Sequence, residues 1–226
     1  MKLSHLFVGV SLSVIMLTGC SKAKEPLVSA VTDVDGNVYN SVKIGTQTWM
    51  TEDLKTTKYN DGTPLHQLTV SERNCPYGAT YCNFYTGPYC MRTTTSVQGI
   101  AYDFGAVYSG KLAPKGWHVP SNEDMAKLVE YLGGSDIAGG KLKEAGISHW
   151  QNPNTGATNE SGFTAVPAYS VKTDFDNDGT AVHYWSVDYI SGTGGQLWSL
   201  VNNSNKITQS NSVYSNDGFT VRCIKD

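Results

Sequence analysis

Residues 119–134 read Val-Pro-Ser-Asn-Glu-Asp-Met-Ala-Lys-Leu-Val-Glu-Tyr-Leu-Gly-Gly. Ser121 stands where a helix N-cap accepts a first-turn N–H, and Asp124, three residues on, can return the hydrogen bond and complete a capping box. Met125, Leu128, Val129 and Leu132 then fall at i, i+3, i+4 and i+7 on one face, and Gly133 supplies the stop. The spacing predicts an amphipathic helix. A second, shorter helix is expected from Ile137 to Ala145, with Asp136 ahead of it and Gly146 behind.

The texture on either side is that of strands. Upstream, Val38-Tyr39 and Val42-Lys43-Ile44 are separated by Gly45-Thr46 from Gln47-Thr48-Trp49-Met50, the pattern of a hairpin whose glycine takes a positive φ. Downstream come short β-type runs: 163–166, 184–187, 197–201, 207–209 and 219–224. In the last of these Phe219, Val221 and Cys223 alternate with Thr220, Arg222 and Ile224, so one face is expected in a core and the other outward. Helices in the centre with strands at both ends give an α+β class, with two short helices and several short antiparallel strands. The stretch from Tyr59 to Tyr89 is rich in Asn, Asp, Gly, Pro, Thr and Cys without a period, and reads as loop.

The amino terminus carries Lys2 and His5, an apolar run from Leu6 to Leu17, and then Thr18-Gly19-Cys20. This is the n-region, h-region and small-residue cleavage site of an export signal, too short to span a bilayer. Leu17-Thr18-Gly19-Cys20 resembles the bacterial lipobox, in which the cysteine receives lipid before cleavage. The organisation expected is therefore a signal peptide over 1–19, a lipidated Cys20 with a polar tether to residue 32, and one domain over 33–226. That places the protein outside the cytoplasm, lipid-anchored to the bacterial envelope at the outer membrane or cell surface. Several acyl chains make such an anchor stable, since one alone binds reversibly.

The 226 residues carry a formal charge of −3, and about −4 without the signal, which holds Lys2 and no acid. No basic stripe is available to neutralise phosphates, so nucleic acid is not an expected partner. With 13 Tyr, 5 Trp, 6 Phe and 23 Gly, the chain has the aromatic and turn residues of a β-containing exported domain. Besides Cys20 there are Cys75, Cys82, Cys90 and Cys223, an even number in a compartment that permits disulfides. A bridge is expected within 75–90, with Cys223 either joined to the remaining partner or free.

Five ordered segments carry a resemblance: Ile44-Gly-Thr-Gln-Thr-Trp-Met-Thr-Glu-Asp-Leu-Lys55, Gly116-Trp-His-Val-Pro-Ser121, Gly139-Gly-Lys-Leu-Lys-Glu144, Asn159-Glu-Ser-Gly-Phe-Thr-Ala165 and Gly218-Phe-Thr-Val-Arg-Cys223. Together they resemble the Fibrobacter succinogenes major paralogous domain, a module of surface and secreted bacterial proteins without a defined biochemical role. Gly-Trp-His-Val-Pro-Ser before an acidic helix, with a closing Gly-Phe-x-Val-Arg strand, also resembles the fold of formylglycine-generating enzymes and C-type lectins. Two positions depart from the family pattern: Met125 replaces a common Trp, and Ala113 replaces a Cys that would often partner Cys223.

Candidate chemistry is sparse. Asp174, Asp176 and Asp178 before Gly179 put carboxylates at alternate positions of a turn, as calcium requires, although an EF-hand would place Glu where Trp185 stands. Calcium is the one cofactor this pattern suggests, with a plain polar turn as the alternative; Asp33-Val34-Asp35-Gly36 reads as a turn only. In a lectin-like fold the following stretch would face a ligand, so Tyr184, Tyr189 and Asp188 are surface binding candidates, while Trp185 and Trp198 are assigned to the core. His118 and His149, each beside a Trp, read as half-buried and bonded to backbone rather than catalytic. Cys75 and Cys82 are assigned to a disulfide rather than to copper, and there is no nucleophile elbow or phosphate loop. The expectation is a non-enzymatic binding or adhesion module for a glycan or a surface protein. The alternatives are a metal-dependent oxidase of the formylglycine-generating type and a fimbria-like structural subunit.

Overall fold

The computed structural model describes residues 27–67, 89–92, 99–168, 170, 179–191, 194–211 and 217–226. Strand β1 (Leu27–Thr32) begins inside the segment read as tether and pairs antiparallel with β2 (Val38–Ile44). The turn between them is built by Asp33, whose carboxylate accepts from the N–H groups of Asp35 and Asn37, both at 2.9 Å, and from the Tyr39 hydroxyl at 2.5 Å. From β2 the chain returns through Gly45-Thr46 into β3 (Gln47–Met50), with Ile44 opposite Gln47, as the hairpin pattern predicts. Gly45 has φ 62°, and a Cβ on it would lie 2.8 Å from the Tyr131 ring, so both the turn and the packing require glycine.

Two more sheets complete the architecture. The short strands β4 (His66–Gln67), β5 (Tyr89–Arg92), β6 (Ile100–Asp103) and β11 (Gly218–Phe219) form a sheet in the order β11-β6-β5-β4, with β4 parallel to β5 and the other pairs antiparallel. An antiparallel meander consists of β8 (Ala181–Ile190), β9 (Gly194–Val201) and β10 (Ile207–Asn211). The first sheet is closed by the chain's last strand, β12 (Ile224–Lys225), inserted between β3 and β7 (Trp117–His118). The α+β class therefore holds.

Three helices, not two, occur among the described residues: α1 (Phe104–Tyr108), α2 (Asn122–Tyr131) and α3 (Ser135–Leu142). Helix α1, capped by Asp103 at the N–H of Ala106, has five residues, too few to show a period. Helix α2 is the one read from 119–134. Ser121 Oγ accepts the Asp124 N–H at 3.2 Å, Asp124 accepts the Ser121 N–H at 3.0 Å, and Met125, Leu128, Val129 and Leu132 are buried. Ser121→Ala is expected to cost about 1 kcal/mol through the lost cap, read as a lower urea midpoint at unchanged slope. Helix α3 starts two residues earlier than expected and ends at Leu142, because Lys143 turns extended and pairs with Ala165.

Residues 218–224 correct the strand expectation. Only the two ends are strand, and every residue from Gly218 to Ile224 is buried. The alternation is present, but it separates two cores rather than core from solvent. Phe219, Val221 and Cys223 join Tyr39, Tyr102 and Trp117 in one apolar cluster, whereas Ile224 joins Trp49, Leu128 and Trp198 in the other. The first half of β8 is covered on both sides in the same way, with Trp185 in the first cluster and Tyr184 in the second. Ala113 lies in the same cluster as Cys223. Cys223 itself is a free, fully buried thiol, and burial pushes its pKa well up.

Candidate functional site

The predicted ligand residues separate. Tyr184 is only 2 % exposed, its ring edge-on to Phe163 at 5.8 Å, so it belongs to the core along with Trp185 and Trp198. Asp188 accepts the N–H of Asn122 at 2.5 Å and so serves the first turn of α2. Tyr189 is exposed, as expected. Asp174, Asp176 and Asp178, like Cys20, Cys75 and Cys82, lie outside the described residues, and Cys90 falls on β5, of which the backbone alone is described. Among the described residues no three His, Cys, Asp or Glu side chains gather as metal ligands, no disulfide is present, and no helix is long and apolar enough to cross a membrane.

A cleft of about 700 Å³ opens where β2, the segment after β3, the turn after α3 and the loop 162–166 meet. Four of the five segments that carry the resemblance reach it: residues 51–55, Glu144, Gly162 with Thr164, and Arg222. At its base the fully buried Arg222 donates from Nε to Asp53 Oδ1 at 2.8 Å, from Nη2 to the same oxygen, and from Nη1 to the carbonyl of Phe163. Burial opposes the guanidinium charge, but Asp53 beside it outweighs that and holds the pKa up. Both contacts use Oδ1, so Asp53 Oδ2 keeps its capacity to accept. Tyr184 packs next to this pair, its ring 5.4 Å from the guanidinium carbon, and burial raises its pKa well above the usual value.

The rim is held with the same care. Glu52 accepts the backbone and side-chain N–H groups of Asn40, both at 2.8 Å, and the Thr51 hydroxyl at 2.9 Å. His149 meets both carboxylate oxygens of Glu144 through Nδ1, at 2.8 and 3.0 Å, and its side chain is 61 % exposed. This corrects the backbone-bonded, half-buried reading of His149; His118 too is bracketed by carboxylates, Asp226 at 2.8 Å and Asp124 at 3.3 Å. Thr164 has φ 57°, a strained conformation for a β-branched residue, fixed by its N–H bond to Asn159 Oδ1 at 2.9 Å. Val42, Leu54 and Val166 add apolar wall.

Sequence reading missed Glu52, Asp53, Glu144 and His149 as a group. The available signal was the five-residue spacing of Glu144 and His149, together with Arg222 as a lone charge between Val221 and Cys223. The cleft combines fixed carboxylates, an imidazole, hydroxyls and apolar wall, and its deepest charge is neutralised by Arg222. Such a lining suits an uncharged ligand rich in hydroxyl groups. Comparison with curated proteins and with solved structures finds no match. A family model does match, described as the Fibrobacter succinogenes major domain and covering residues 42–225, which takes in all but the opening Asp33–Ser41 of the expected domain and ends one residue short of the last; the chain belongs to that family.

Proposed function

We propose that this protein is an exported, lipid-anchored binding module that holds a saccharide in the cleft without chemical conversion. One observation carries the reading: Glu52, Asp53, Glu144, His149 and Arg222 are each held in place by another protein group before any ligand arrives. Prepositioned polar groups reduce the ordering cost of binding and reward a ligand that presents many hydroxyls at fixed spacing. The cleft volume lies within the range of ligand pockets. Anchoring through Cys20 supports a role at the envelope: the short stretch 21–26 before β1 reaches at most roughly 20 Å, which would keep the domain against the membrane surface.

The test is an oligosaccharide array probed with the full chain in detergent. His149→Ala should weaken the best ligand about tenfold, the equivalent of one good hydrogen bond, with the melting temperature essentially unchanged because the side chain is exposed. Equal affinity for every saccharide in wild type and variant would remove the cleft from the function.

A further inference from the structure

An aromatic stack runs from the first core to solvent at a place the cleft does not touch. Phe104 and Tyr108 are i and i+4 on α1, and their rings lie 5.7 Å apart. Phe104 packs on the fully buried Trp185 at 5.3 Å and lies almost parallel to Tyr189, at 23° and 6.2 Å. The cross-strand partner of Tyr189 is Gly195, and a Cβ there would come within 2.3 Å of the Phe104 ring. Glycine at that position is thus what lets Phe104 settle on β9 and carry the outer rings. Those outer rings are Tyr108, 61 % exposed, and Tyr189, 57 % exposed, with centroids 5.9 Å apart and planes at 51°.

We propose that Tyr108 and Tyr189 form a second saccharide site, on which the C–H face of a pyranose ring stacks. An aromatic face is electron-rich, and the C–H groups on one side of a sugar ring are both apolar and weakly positive, so stacking buries apolar area while the hydroxyls stay wet. Both rings rest on Phe104, and a tyrosine has only two side-chain torsions, so little freedom is lost on binding. The size of the patch selects the occupant. Among the described residues the other large exposed apolar side chains, Val34, Val38, Tyr131, Ile137 and Ile147, sit elsewhere in the fold, so the shelf that Tyr108 and Tyr189 form has the area of two rings, on the order of 200 Å². A stable protein interface needs about 800 Å² on each partner, whereas one or two sugar rings need no more than the shelf provides. The site deepens the saccharide reading of the cleft but shares no residue with it.

The probe is a panel of soluble hexasaccharides of neutral and N-acetylated hexoses, titrated into the full chain in detergent. The double variant Tyr108→Ala, Tyr189→Ala should lose about tenfold or more in affinity, and Tyr108→Phe, Tyr189→Phe should stay close to wild type, because the ring rather than the hydroxyl does the stacking. Matched melting temperatures show that each variant is folded. If the double alanine variant binds as wild type while His149→Ala does not, the shelf is overturned and the cleft reading stands; the reverse pattern sustains the shelf and overturns the cleft. Binding of the shelf to phosphatidylcholine vesicles, or dissociation of a dimer on the alanine changes, without saccharide affinity, also overturns it. Failure of the wild type to bind any member of the panel overturns both.

Discussion

Arg222→Met is expected to destabilise the protein by about 3 to 5 kcal/mol, the range seen when one partner of a buried ion pair is removed. Arg222 is 1 % exposed, its guanidinium is 4.3 Å from the Phe163 ring centre, and its hydrogen bonds fix Asp53 and the carbonyl of Phe163. Methionine fills much of the stem's volume but leaves Asp53, whose side chain is 13 % exposed, without its counter-charge, and the Phe163 carbonyl without its donor. Access to the cleft lets water reach Asp53, which puts the expected value at the lower end of the range. Removing both charges should recover much of the loss, since no bare charge is then left inside. Urea denaturation of Arg222→Met, Asp53→Leu and the double variant forms the cycle that separates the coupling from the packing. A loss below about 1 kcal/mol for Arg222→Met would mean that the pair is effectively solvated and that the base of the cleft is not rigid.

Arg222 also marks the limit of what one sequence conveys. Local rules were enough for the β2–β3 hairpin, where Gly45 fixes the turn, and for α2, where Ser121, Asp124 and the four apolar positions act within a dozen residues. The two-residue period of 219–223 was legible as well, but its meaning was not. A charged residue in an alternating strand ordinarily faces water, and the fact that reverses this, a carboxylate 169 positions away, is tertiary. Tyr184 misled for the same reason: the polar His183 beside it packs against Phe219 and Ser199, while the Tyr184 ring enters the second core. Asp188 looked like a ligand residue because it follows the 174–179 loop and stands between Tyr184 and Tyr189; its carboxylate is instead taken by the Asn122 N–H on another element, with Ser186 Oγ at 3.4 Å. Helix α1 and the small sheet strands are too short for a pattern to rise above chance.

Lys143→Met should cost about 2 to 3 kcal/mol at neutral pH, the penalty for stranding buried carbonyls. Lys143 follows α3 directly and is 0 % exposed, yet its ammonium is fully used: Nζ donates to the carbonyls of Thr155 at 3.0 Å, Val201 at 3.0 Å and Ser204 at 2.9 Å. Three donors meet three acceptors, which ties the loop at 155 to the end of β9 and to the turn that follows it. The Trp150 ring, 5.4 Å away, covers the same group. Methionine matches the length of the stem but donates nothing, so the three segments lose their common tie. Burial works against the charge and brings the pKa of Lys143 down to about 8. The unfolded chain keeps the proton up to about pH 10.4, so between those values the unfolded state binds more protons and stability rises with pH. The neutral amine still donates twice, which preserves most of the tie while removing the cost of the buried charge. The deficit of Lys143→Met relative to wild type should therefore grow from pH 7 to pH 9.5. Melting both chains across that range at constant ionic strength reads the difference directly, and a gap that stays constant or narrows would mean that the ammonium keeps its proton inside the fold.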